Sequence, residues 1–563
     1  MNDAAPVQST GTSDTGDDDA SLSPSRREFL KVTTAAGVTL LGGCIGDDGD
    51  PQASLGDAEA FAKFDHFVVL MSENRSFDSL LGYCYPAGAA PRGQSFNGLD
   101  GKSYPNPVPP YINDGNAFVT NRVSPGSEAD MQNPNPDPGE EYQHVNTALY
   151  NVVDPPGNQF KDAGDMLAPF NAPPPGTPAT MNGFVWDYCN NFVNLNGRNP
   201  TFDEYRVIMD SFSPQQLPVI NQLAQGFAVY DAWFCAAPTQ TIPNRSFFHA
   251  STSSGFVVNE PYTKWPSQNN APTIFNRLSE AGLSWRVYYD ETQVVPMTAV
   301  IHGASLVPYW DKNFYTMDEF YQDVANGTLP NYAFIEPRMV YNNNDYHPPA
   351  PLAKDVPIGG WSDVRWGEVL VHDVYTAIKQ SGTRPGSNAL NTLLLITFDE
   401  HGNCFDHVAP PNATTPQNPQ PVGEKGFLFD RLGVRVPAIV VSAYTQANTI
   451  INRPVHHAAL IRTLCSKYDL GHLTDRDLNA PDLADAINLP EPRDPSTWPS
   501  PIPRPAPPPP MLDHRPLNDV EKTIVGLAIA RFSPQPAATP LPTTLGDARA
   551  LLRTLVGNTF RHA

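Results

Sequence analysis

The sequence predicts an α/β fold built on a mostly parallel sheet with helices on both faces, and three observations predict it. Short apolar or β-branched runs recur at residues 64–71, 227–230, 285–289, 332–335, 392–397 and 436–442, each bounded by turn-forming residues, as buried strands are. Stretches of helical periodicity alternate with them, at 217–225, 273–281 and 367–380, and that alternation is the pattern of a parallel sheet wrapped by helices. The 563 residues include 61 prolines and 39 glycines, which fits one large domain carrying long loop insertions, or two domains.

In chain order, Ser25-Arg26-Arg27-Glu28-Phe29-Leu30-Lys31 is a twin-arginine sequence followed by a mildly apolar stretch, 32–41. That stretch is too short for a bilayer, which takes about 20 apolar residues. Leu41-Gly42-Gly43-Cys44 is similar to a lipoprotein processing site, which would leave Cys44 lipidated. The alternative is ordinary cleavage nearby and a soluble secreted protein. The expected location is therefore outside the cytoplasm by the twin-arginine export machinery: periplasmic, at the cell surface as a lipoprotein, or secreted. Residues 1–43 are the signal, 44–60 a polar linker, 61–485 the α/β domain, and 486–563 a proline-rich segment with a helical tail.

The strand at 64–71 runs directly into Ser72-Glu73-Asn74-Arg75-Ser76-Phe77-Asp78. Residues 83–140 are Pro-, Asn- and Gly-rich and read as surface loops. Asp137 through His144 begins a helix with acidic residues in its first turn. Ala237-Pro238-Thr239-Gln240-Thr241-Ile242-Pro243-Asn244-Arg245 reads as a turn leading into a helix at 246–251, and Thr241 is placed there as a nucleophile at a helix N-terminus. The strand at 392–397 ends in Phe398-Asp399-Glu400-His401-Gly402-Asn403-Cys404-Phe405-Asp406-His407, so two carboxylates stand where open α/β sheets place their ligands. Residues 490–510 are proline-rich and extended, and 517–532 and 544–556 are short helices.

The formal net charge of −23 argues against nucleic acid as a partner and against simple electrostatic attraction to anionic membranes. An anionic substrate therefore needs a local positive centre, which a bound divalent cation would supply. Beyond Cys44 the cysteines are Cys84, Cys189, Cys235, Cys404 and Cys465, an odd number at spacings that match no thiolate metal site. One or two disulfides are compatible with export.

Glu73-Asn74-Arg75-Ser76-Phe77-Asp78, Thr241-Ile242-Pro243-Asn244-Arg245 and Asp399-Glu400-His401-Gly402 through Asp406-His407-Val408 resemble the bacterial phospholipase C and acid phosphatase family, which plant non-specific phospholipases C also join. The resemblance covers roughly residues 60–480. It implies an alkaline-phosphatase-like fold and phosphoester hydrolysis through a covalent phospho-enzyme. Carried over residue by residue, it implies metal ligation by Glu73, Asn74, Thr241, Asp399 and Glu400, with Thr241 the nucleophile. Oxygen donors of this kind suit one divalent calcium, magnesium or manganese ion.

The resemblance also implies that His347 contacts phosphate or protonates the leaving group, with His457 and His407 similar in role. Arg245 shares charge stabilisation, and His401 stands outside the ligand set on the substrate side. Many relatives carry a histidine directly after Asp-Pro-Gly, whereas Glu140 stands here and His144 follows four residues on; either residue is a replacement. The expected substrate is a phospholipid, cleaved to diacylglycerol and a phosphorylated head group. The alternative is a phosphomonoesterase acting on small soluble esters. A remote third is a lipid-anchored binding protein without catalysis.

Overall fold

Two neighbouring strands set the frame: Thr392–Phe398 has no residue at the surface, and His66–Ser72 is buried except for half-buried His66. Strands so enclosed must be covered on both faces. In this computed structural model the described residues are 57–91, 93–340, 342–349, 362–508, 513–557 and 559–560, all within one compact unit, 52–563. The twin-arginine stretch, Cys44 and the linker to residue 56 lie outside the described residues.

The main sheet has eight strands: β1 (His66–Ser72), β2 (Ala228–Tyr230), β3 (Trp285–Tyr289), β4 (Phe314–Thr316), β5 (Tyr332–Ile335), β6 (Thr392–Phe398), β7 (Ala438–Val441) and β8 (Thr449–Ile451). Their order across the sheet is β8-β2-β7-β6-β1-β5-β3-β4. Every pairing is parallel except those of β7, which runs antiparallel to both β6 and β2. The mostly parallel α/β sheet expected from the sequence is therefore present. Its one reversed strand is the run at 436–442.

The helices used below are α1 (Tyr142–Tyr150), α2 (Phe184–Asn196), α3 (Pro218–Gly226), α4 (Thr241–Ala250), α5 (Val364–Ser381), α6 (Ala458–Tyr468), α7 (Asp519–Phe532) and α8 (Leu545–Val556). Two expectations shift: the helix read as beginning at Asp137 starts at Tyr142, with no acidic residue in its first turn, and the helix at 246–251 begins five residues earlier, at Thr241. The segment tolerates this because Pro243 falls in the first turn, where its missing N–H has no intrahelical acceptor to lose.

The C-terminal segment is part of the core. Ile524, Val525, Leu527 and Ala528 of α7 and Leu545 and Leu552 of α8 share one hydrophobic cluster with the sheet. The proline-rich strap before them runs along α5. Its carbonyls accept from helix side chains: Lys379 Nζ donates to Pro499 O at 2.9 Å, Tyr375 to the same oxygen at 2.7 Å, and Trp366 Nε1 to Pro507 O at 2.8 Å. The five cysteines among the described residues are buried free thiols, so the disulfides allowed by the sequence do not form. No helix among the described residues is long and apolar enough to cross a membrane.

Candidate active site

Because β1 and β6 pair in register with Ser72 opposite Phe398, the next residues, Glu73 and Asp399, emerge side by side at the carboxyl ends of adjacent parallel strands. The Asp399 N–H donates to Ser72 O at 3.1 Å. Asn74 turns the chain with φ 53°, and its N–H donates to Asp399 Oδ1 at 3.2 Å; the Glu400 N–H donates to the same oxygen at 2.7 Å. Glu400 Oε2 in turn accepts from the Gly402 N–H at 2.7 Å. Gly402 has φ 57°, and a Cβ there would lie 2.5 Å from the Asn74 carbonyl oxygen, so only glycine lets the second loop close over the first.

Helix α4 brings the third motif. Asn244 fixes the chain ahead of it, accepting from the Ala237 N–H at 2.9 Å and donating to Thr239 O at 2.7 Å. Thr241 is the first helical residue, and its hydroxyl donates to Glu73 Oε2 at 3.2 Å. One turn on, Arg245 donates through Nε to Glu73 Oε1 at 2.8 Å and lies 3.7 Å from Asp399 Oδ2. The positive end of the α4 dipole therefore falls at the Thr241 hydroxyl.

Three acceptor atoms in this corner have no hydrogen-bond partner: Asn74 Oδ1, Asp399 Oδ2 and Glu400 Oε1, all on fully buried residues. Each carboxylate spends one oxygen on backbone N–H groups and keeps the other without a hydrogen bond, Asp399 Oδ2 having only the longer approach of Arg245 at 3.7 Å. Orphaned buried acceptors cost about 1–3 kcal/mol each and call for an explanation. Burial pushes the Glu73 and Asp399 carboxyls above the usual range, against the pull of Arg245; burial and the Glu140 charge push Glu400 well above it. Hard oxygen donors left without hydrogen bonds on buried residues fit a divalent cation.

A model of the Phosphoesterase family matches residues 64–471. The chain belongs to the phosphoesterase family. It is 32% identical over 461 residues to non-specific phospholipase C3 of Arabidopsis thaliana, covering 78% of this chain and 77% of that protein. It is 24% identical over 508 residues to phospholipase C B of Mycobacterium tuberculosis, covering 81% and 82%. Among solved structures, a protein in the alkaline phosphatase superfamily from Vibrio parahaemolyticus aligns at 13% identity and TM-score 0.29, over 48% of this chain and 65% of that one. The phosphoesterase chain is thus an enzyme, a phosphoric ester hydrolase.

The candidate site opens on a cavity of about 960 Å³, lined by Thr241 together with Asp137, Glu140, His144 and His347. The histidines named from the sequence divide. His144 on α1 donates Nδ1–H to Asp187 of α2 at 3.0 Å; burial opposes its charge, but the Asp187 carboxylate wins and raises it to about 9. His347 gives its Nδ1–H to Pro348 O at 2.6 Å, leaving Nε2 buried without a partner; burial lowers it to about 4. His401 is buried with Nδ1 3.2 Å from Glu400 Oε2, and burial lowers it to about 3.

His457 and His407 are not brought to the cavity. His457 lies behind Asp399: Nε2 donates to the Asp399 carbonyl at 2.6 Å, and Nδ1 accepts from Trp233 Nε1 at 3.1 Å, so both ring nitrogens are spent on holding the β6 end. His407 stacks on Tyr104 at 4.5 Å, with Nδ1 2.6 Å from Asp78 Oδ2 and Nε2 3.0 Å from Asn97 Oδ1. Neither position offers a free nitrogen to substrate.

Sequence reasoning missed Asp137, Asp187 and the tail. Asp137, Glu140 and His347 offer ligand atoms within 4.8 Å of one another. Asp187 lies inside α2, with no local signal. The tail supplies one wall of the cavity through Val520, Ile529 and Ala530 of α7 and Leu541 beyond it.

Proposed function

We propose that this phosphoesterase is a metal-dependent phospholipase C-type hydrolase that cleaves the glycerol-side ester of a phospholipid, with Thr241 as nucleophile. The observation that carries the reading is the Thr241 hydroxyl, which borders the cavity at a helix start while donating to Glu73. Thr241 Oγ forms a bond to phosphorus, the bond to the glycerol oxygen breaks, and diacylglycerol leaves with a proton. Water then hydrolyses the phospho-threonine and releases the phosphorylated head group.

Glu73 orients the hydroxyl and is itself held by Arg245. The imidazolium of His144, kept charged by Asp187, attracts the phosphate. Asn74, Asp399 and Glu400, with Glu73 and Thr241 beside them, would hold one hard divalent cation, calcium, magnesium or manganese. Such an ion supplies Lewis acidity, which lowers the pKa of a coordinated hydroxyl and offsets phosphate charge.

The apolar wall of Val520, Ile529, Ala530 and Leu541 favours a lipid over a small soluble ester. We also infer twin-arginine export with Cys44 as a lipid anchor, supported by Ser25–Lys31 and Leu41–Cys44; loss of membrane association in Cys44→Ala tests it. The substrate test is a panel of phosphatidylcholine and p-nitrophenyl phosphate. Diacylglycerol release from the first is expected, and turnover of the second alone would give the phosphomonoesterase reading. Binding without turnover of either would leave a lipid-binding protein.

A further inference from the structure

We propose that Asp137, Glu140 and His347 form a second cation site on the cavity wall, taking a divalent metal of borderline hardness. Their ligand atoms lie within 4.8 Å of one another, and all three residues line the cavity. His347 is 2% exposed, and its Nδ1–H is committed to Pro348 O, so the lone pair of Nε2 is the free one. That nitrogen has no hydrogen-bond partner and stands 3.9 Å from Asp137 Oδ2. A buried imidazole nitrogen without a donor, facing two carboxylates, is a ligand atom held ready.

Asn74 ties this trio to the first donor set. Its Nδ2 donates to Glu140 Oε2, while its Oδ1 is one of the three orphaned acceptors. Asp137 and Glu140 stand together in this grouping, a clustering of carboxylates that a second cation would relieve. Two carboxylates and one imidazole, with no thiolate, suit manganese, iron or zinc. Three protein donors leave coordination positions open toward the cavity, where an anionic oxygen of a phosphoester would bind.

The other groupings of three such ligands among the described residues are already engaged. In Cys465-His472-Asp477 the Asp477 oxygens accept from the Leu473 and Thr474 N–H groups and from His472, and Arg462 donates to the other His472 nitrogen. Asp78-Asp406-His407 is an ion network closed by Arg435.

The test is a metal count on the stripped full chain, reloaded with manganese or zinc alone and desalted, and it is independent of turnover. Two ions per chain are expected in the natural sequence, and one each in Glu140→Gln, in His347→Gln and in Asp399→Asn. Circular dichroism confirms the fold, and the two cavity-wall variants back each other should one fail to fold. The proposal is overturned if Glu140→Gln and His347→Gln bind as many ions as the natural chain. A single ion that is lost in Glu140→Gln but kept in Asp399→Asn would uphold this site and remove the first.

Discussion

The motifs after β1 and β6 build two carboxylate clusters, and the clusters are opposites. In the second, Asp78 takes Arg435 at 2.9 Å and the His407 N–H at 2.8 Å, while Asp406 takes Arg435 Nε at 2.9 Å and the Val408 N–H at 2.9 Å. Burial would raise Asp78, but Arg435 and His407 outweigh it and hold the carboxyl below its usual range, whereas burial pushes Asp406 up to about 6 despite Arg435; what separates the clusters is therefore the satisfaction of their oxygens. In the first, Asn74, Asp399 and Glu400 each keep an oxygen with no hydrogen bond, and the carboxyls are raised. The sequence types are alike; the satisfaction of their lone pairs is not. A saturated cluster fixes the two loops against each other, and an unsaturated one reserves atoms for a ligand.

Thr241→Ala should give the largest effect and bears on the unsaturated cluster. Turnover should fall by at least about 10³-fold, as removal of a nucleophile does, while the thermal transition and metal content stay near those of the natural chain. Near-normal activity would remove Thr241 as nucleophile and leave the orphaned oxygens to be explained otherwise.

Arg435→Ala tests the saturated cluster and should cost about 3–5 kcal/mol, since it strands two buried carboxylates. Denaturant unfolding measures this, and activity per folded molecule should hold. Glu400→Gln should do the reverse in metal-free protein. The folded Glu400 carboxyl is raised above its ordinary 4.5, so its contribution to stability is full below that pH and is lost as pH rises through the folded value. Metal-free natural protein should therefore lose stability above about pH 4.5, and Glu400→Gln should lessen that slope. A slope unchanged by the substitution would show the two clusters to be alike.

The strands were legible because β1 and β6 are apolar at nearly every position, a signature of burial on both faces. The reversal of β7 was not, because Ala438–Val441 has the same apolar texture whichever way it runs. The strand-end acids were legible as chemistry from residue type and place alone. The histidines were not: His347, His407 and His457 differ only in what surrounds each ring nitrogen, which is tertiary information. Asp187 gave no signal, since one aspartate within a helix looks solvated until His144 is packed on it. The tail helices were readable, but their role as cavity wall depends on where the strap along α5 delivers them.

His144 supplies a smaller, pH-dependent contrast. Its folded value of about 9 lies above the ordinary 6.5, so its stability contribution is complete below pH 6.5 and disappears as pH rises through about 9. Substrate affinity should weaken over the same upper limb. His144→Gln should raise KM by about tenfold at neutral pH, the worth of one charge-assisted hydrogen bond of about 1.5 kcal/mol, and should remove that limb from the kcat/KM profile. A limb that persists in the variant would assign it to another group.

The smallest expected effect comes from His407→Gln, and the comparison with His347→Gln gives it meaning. Both histidines were read from the sequence as substrate contacts. His407 spends its nitrogens on Asp78 and Asn97, away from the cavity, whereas His347 Nε2 is unspent and borders it. Loss of the His407 contact to a carboxylate that keeps Arg435 should cost about 1 kcal/mol, visible as a small drop in the unfolding midpoint with kcat and KM unchanged. His347→Gln gives up the Nδ1–H bond to Pro348 O and no bond from Nε2, so its stability should fall by a similarly small amount while, unlike His407→Gln, activity falls as well. If the two variants behaved alike in both measurements, the unsatisfied lone pair would lose its standing as the mark that separates the working cluster from the structural one.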